Sequence, residues 1–292
     1  MDRYERLENI GWKENNRPVQ YKYRHMEIGN VVAVKTLVMQ SSDDFGVPCM
    51  TLRKISLLKE IEHQNVARLL DIIYDERLCR IHLMLEYADT DLKSLIQVNP
   101  VRATNRRFIR NTLEQILRGL YCYHSINFAH GNLNPTNVLL DRTNLTVKLT
   151  DLDWIITPSY KAPELLCDPS AEITPATDMF SVGCIFAEML TRKPLFDAKT
   201  KYHEIVSISR LVGSFDSYTT DPPGENGPGP ASEDQETTFR ITRNLEKIIP
   251  DFKPAGIDLL SRMLCPNPSR RITVEEALKH SYFKLGVLNA NP

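Results

Sequence analysis

The sequence predicts an α+β chain of two unequal halves: a small N-terminal half of short strands with one helix, and a larger, mainly helical C-terminal half. Residues 4–40 alternate polar and apolar side chains between turn signals, as short strands do. The period then changes, with apolar residues at helical spacing at Leu52, Ile55, Leu58 and Ile61. Further along, 111–124 is a clear amphipathic helix.

Composition narrows the function classes. The 292 residues are enough for two domains or one large one. With 42% hydrophobic and 25% charged residues, a sizeable core is expected and global disorder is not. The net charge of -1 lacks the basic excess of a nucleic-acid binder. No apolar run approaches the ~18 residues of a membrane span. The first six residues, Met1-Asp2-Arg3-Tyr4-Glu5-Arg6, are polar and mixed in charge, unlike a secretory leader. The six cysteines are scattered with no C-x-x-C pair, as in a cytosolic or nuclear protein with reduced thiols.

The elements follow in order. Tyr4–Gly11 reads as a first strand entering a turn, and Tyr21–Arg24 and Val31–Val38 as the next two. The third contains Val32-Ala33-Val34-Lys35. The turn before it, residues 11–19, keeps a single glycine, Gly11, and Pro18 removes a backbone donor, so it makes a poor phosphate cover. Residues 46–60 form the N-terminal helix. Ile81–Leu92 is an apolar strand running towards a helix N-cap at Asp91. Next come His130-Gly131-Asn132-Leu133-Asn134-Pro135-Thr136-Asn137, the apolar Val138-Leu139-Leu140, and Thr150-Asp151-Leu152-Asp153. Ala162-Pro163-Glu164, the run 176–190, Asn267–Thr273 and Glu275–Leu278 complete the series. The Pro/Gly-rich stretch 222–230 is expected to be a mobile loop.

Taken together, these motifs resemble those of protein kinases, and the 48–71 stretch is similar to that of cyclin-dependent kinases. The resemblance spans about residues 4–284. It implies a bilobal fold, with a small antiparallel sheet and one key helix in an N-lobe (about 4–87), a mainly helical C-lobe (about 88–284) and a short tail, 285–292. It also implies an ATP–Mg²⁺ site. Ile10, Gly11, Ala33, Lys35, Glu86, Ala88 and Leu139 would hold nucleotide, and Asn137 and Asp151 would be metal ligands. The plain alternative for Asn137 and Asp151 is turn and cap chemistry. Asp178 would brace the loop backbone, and Arg271 would pair with Glu164. His130, Leu152, Leu58 and Leu69 would form an apolar stack between the lobes.

The departures fall on reactive positions. Asn132 stands where the family has its base aspartate, Asn134 where it has a lysine, and Gly131 where it has an arginine. Lys54 stands where a glutamate pairs with the strand lysine, so two lysines would repel and disfavour the active helix position. Asp153 replaces a glycine beside the phosphate site. Only 14 residues run from Asp151 to Glu164 inclusive, so the activation segment is almost deleted. The leading expectation is a catalytically impaired, cyclin-dependent-kinase-like pseudokinase of the nucleus or cytoplasm. It would engage a cyclin or another protein through the Pro48–Glu60 helix. The alternative is an active serine/threonine kinase of unusual mechanism, and a gene copy with no selected role stays open as a third.

Overall fold

The computed structural model describes residues 3–9, 20–38, 49–76, 80–99, 105–150, 158–168, 170–197, 200–213 and 230–284. The N-terminal half is a five-stranded antiparallel sheet of order β1-β2-β3-β5-β4: β1 Tyr4–Asn9, β2 Gln20–His25, β3 Val31–Val38, β4 Leu69–Asp75 and β5 Arg80–Glu86. Alternation explains its two faces. Val32, Val34 and Met84 bury one face under Tyr4, Tyr23 and Ile73. Ile81, Leu83 and Leu85 bury the other against Ile55 and Leu58 of helix α1 (Cys49–Glu60). The β3–β5 register sets Lys35 opposite Leu83 and Ala33 opposite Leu85.

The predicted α1 stripe needs one correction. Ile55 and Leu58 are buried, but Leu52 is 51% exposed. Spacing identifies a helix face, yet it cannot say where along the helix the sheet begins to cover it. Leu52 lies in the first turn, outside the cluster that encloses Ile55 and Leu58.

The C-terminal half is helical: α2 Leu92–Val98, α3 Arg106–His124, α4 Pro163–Cys167, α5 Pro175–Thr191, α6 Lys201–Val212, α7 Pro230–Ile248, α8 Pro254–Met263, α9 Val274–Leu278 and α10 Ser281–Lys284. Asp91 caps α2 as expected, its Oδ1 accepting from Ser94 N at 2.8 Å. Helix α3 starts five residues before the predicted 111, because Asn105 Oδ1 accepts from Arg107 N and Phe108 N. A small sheet, β6 (Thr90–Asp91), β7 (Val138–Leu140) and β8 (Val147–Leu149), lies beside α3. The approach is close at Gly119, where a Cβ would sit 2.6 Å from Asn65 O and 2.9 Å from Leu149 Cδ1. Asn65 O in turn accepts from Leu149 N, and Ala67 N donates to Leu149 O, so this contact sews the two halves together.

Cys122, Cys167, Cys184 and Cys265 are free thiols. No helix among the described residues is long and apolar enough to cross a membrane. Residues 222–229 and the tail 285–292 lie outside the described residues.

Candidate functional site

The 130–137 loop is held from below by one carboxylate. Asp178, in the first turn of α5 and 1% exposed, accepts from His130 N at 2.7 Å and Gly131 N at 2.8 Å. His124 Nε2 lies 2.9 Å from the same carboxylate. This is the brace expected of Asp178. The bend has a conformational requirement, since Gly131 has φ +84°. L side chains avoid that region by roughly 1–2 kcal/mol, and a Cβ would also press to 3.2 Å of Ile173 Cγ2.

Three asparagines knit the loop from within. Asn132 O accepts from Asn137 Nδ2 at 2.8 Å and Asn134 Nδ2 at 3.2 Å. Asn134 Nδ2 also lies 3.3 Å from Asn132 Oδ1. Asn134 Oδ1 caps the 3₁₀ turn Pro135–Asn137 by accepting from Thr136 N at 3.0 Å. All three side chains are nearly buried, Asn134 at 3% exposure. Asn134 therefore points its polar group inward, as an asparagine before a turn does. Beside Asn132, Tyr160, Lys161 and Ala162, the recess measures only about 10 Å³, room for about one water.

The expected nucleotide positions are only partly placed. Lys35 is 2% exposed on β3. Ala33, Ala88 and Leu139 are half-buried. Leu139 is opposite Asp91, so the Glu86–Asp91 connection leads from β5 to the strand that carries Leu139. Glu86 is drawn to protein partners: its N–H donates to Arg68 O at 2.9 Å and its carboxylate meets Lys148 Nζ at 2.9 Å. Asn137 has its amide nitrogen on Asn132 O, leaving Oδ1 as its acceptor, the atom a cation would use. Thr150 N donates to Asn137 O at 3.0 Å. Ile10, Gly11, Asp151, Leu152 and Asp153 lie outside the described residues. Among the described residues no group of three or more His, Cys, Asp or Glu could hold a metal ion.

Lys54 reaches from α1 to the 130–137 loop. Its Nζ donates to His130 O at 2.9 Å. A loop carbonyl is thus one partner of this ammonium, and no sequence pattern reveals it. Leu58, Leu69 and His130 of the predicted stack are all buried, at 4%, 8% and 1% exposure. The Tyr123 ring packs edge-on against His130 at 5.6 Å.

Below the site, Arg271 forms the expected pair with Glu164, Nη1–Oε1 2.7 Å and Nη2–Oε2 2.9 Å, and also donates to Ala176 O, Cys265 O and Pro266 O. Tyr160 donates to Glu188 Oε2 at 2.6 Å; burial pushes the pKa of both groups up. Glu204 of α6 escaped the sequence reading. It is fully buried, and neither carboxylate oxygen has a hydrogen-bond partner among the described residues. Burial raises its pKa to about 7 against the opposing pull of Lys161. Its position in an amphipathic helix looks like any first-turn acid, so the sequence carries no signal for it.

A family model for the protein kinase domain matches residues 4–283, nearly the whole chain.

Proposed function

The chain belongs to the protein kinase family, and we propose that it is a cyclin-dependent-kinase-like binding protein whose phosphoryl-transfer chemistry is lost. Asn132 carries this reading. An amide at the base position cannot take the proton of an acceptor hydroxyl, and general base catalysis is worth about 10²–10⁴-fold. Two further observations support it. Asn134 supplies a turn cap where the family supplies a cation. Lys54 supplies a donor to His130 O where the family supplies a carboxylate. Phosphoryl transfer depends on positioning and charge stabilisation, so each of these differences works against it.

Nucleotide is a separate matter. ATP with Mg²⁺ brings the transferable phosphoryl group and the cation that neutralises it. Lys35 and Asn137 Oδ1 suit such a ligand, and Asp151 would be the second metal ligand. A weakly active kinase that uses these three residues is the second reading, favoured by the Asn137 amide orientation.

The partner surface proposed is the outer side of α1. Leu52 is 51% exposed at the start of α1, beyond the cover of the sheet, and Ile72 and Tyr74 are 38% and 53% exposed on the edge strand β4. Exposed apolar side chains of this kind suit a helical protein partner such as a cyclin. A thermal-shift measurement with ATP, with and without Mg²⁺, separates the readings. A ligand at 100 times its Kd stabilises by about 2.7 kcal/mol. No shift at millimolar ATP supports the binding-protein reading. A clear Mg²⁺-dependent rise favours the weakly active kinase.

A further inference from the structure

Helix α1 presents two neighbouring cations to the C-terminal half. Lys54 Nζ donates to His130 O at 2.9 Å, bridging 76 positions of sequence. The Arg53 guanidinium lies 5.9 Å from the Phe128 ring centroid, within reach of a cation–π contact. Ile55 and Leu58 of the same helix share a cluster with Val66 and Tyr123, and Phe128 packs on that cluster. His130 is itself fixed, its N–H donating to Asp178 at 2.7 Å. A continuous line of contacts therefore runs from α1 through His130 to α5.

The chemistry of residue 54 decides whether this line closes. A backbone carbonyl needs a donor. A carboxylate offers only acceptors, so a glutamate here could not make the bond.

We propose that Lys54 is a positioning residue that clamps α1 onto the 128–130 segment. The clamp goes beyond the proposed loss of catalysis and stands whether or not nucleotide binds.

Hydrogen–deuterium exchange on the full, nucleotide-free chain tests it. A hydrogen bond to a charged group is worth roughly 1.5–3 kcal/mol, which corresponds to about a 10- to 100-fold change in local opening. Lys54→Met keeps most of the apolar stem and removes the donor. Exchange of the 53–60 amides is expected to accelerate by about that factor, with α8 unchanged. Lys54→Arg keeps a donor and is expected to restore slow exchange. Equal α1 exchange in Lys54→Met and wild type overturns the clamp. So does equal loosening by Lys54→Met and Lys54→Arg, which would assign the effect to bulk and not to the donor. If Lys54→Met does not fold, the wild-type protein decides. Without nucleotide, its Ile55–Leu58 amides should exchange at least about 100-fold slower than unprotected amides; exchange at the unprotected rate refutes the clamp. Because no ATP is present, failure here leaves the catalytic reading untouched, and a finding of phosphate transfer leaves the clamp untouched.

Discussion

The inner and outer sides of one loop have different fates in this protein. On the inner side, Asp178 holds His130 and Gly131 by their backbone N–H groups, and Arg271 holds Glu164 with two parallel bonds. The Asp178 and Arg271 side chains that make these bonds are buried. On the other side, the positions that would face a reacting phosphate carry Asn132 and Asn134, which bond to one another and to the turn Pro135–Asn137. The scaffold that aims a catalytic loop is thus physically separable from the groups that react on it.

The largest effect should come from the brace. Asp178→Ala strands two buried N–H groups, each worth about 1–3 kcal/mol, so a loss of roughly 3–5 kcal/mol is expected in urea unfolding. A loss below about 1 kcal/mol would break the contrast between the two sides. Next is Arg271→Met, which leaves Glu164 unpaired beside carbonyls that lose their donor. The expected loss is about 2–4 kcal/mol, readable in the same experiment. Gly131→Ala comes third. Positive φ should cost about 1–2 kcal/mol, with the Ile173 contact adding to it, and a neutral result would mean that the bend relaxes freely.

Glu204 supplies a pH test. Its folded pKa of about 7 lies above the ordinary 4.5, so the folded state binds the extra proton. The stability this group contributes is fully present below about pH 4.5 and is lost as pH rises through about 7. Glu204→Gln should therefore match wild type near pH 4.5 and be more stable above pH 7, by up to about 3 kcal/mol. Melting curves across pH 4.5–8 check the sign; parallel curves would contradict the burial account. The smallest effect belongs to the outer side. Asn132→Asp keeps the carbonyl to which Asn134 and Asn137 donate but places a carboxylate at a nearly buried position, so a loss of about 1 kcal/mol is expected.

Much of this was legible in the sequence, for identifiable reasons. The β3 strand was read at its true bounds because alternation on a two-faced sheet is written directly into residue types. The Asp91 cap is legible in the local strand-to-helix pattern, whereas the Asp178 brace and the Arg271–Glu164 pair follow from motif order, and both of these join residues far apart in the chain. Helix α7 was not seen, since its start at Pro230 follows a stretch whose glycines and prolines dominate the local signal. Lys54 is placed on the right helix by the sequence, but its bond to the loop is not legible there. Its acceptor is a backbone carbonyl 76 positions away, and every residue has a carbonyl, so composition cannot point to this one. Glu204 was invisible because burial without a partner is a property of packing.

The most direct test of the account is transfer of labelled phosphate from ATP–Mg²⁺ to generic protein acceptors at high protein concentration, with Lys35→Met run in parallel. The account predicts no incorporation above the protein-free blank, in either protein. Incorporation by the wild-type chain that disappears with Lys35→Met would contradict it and establish a working, if slow, kinase.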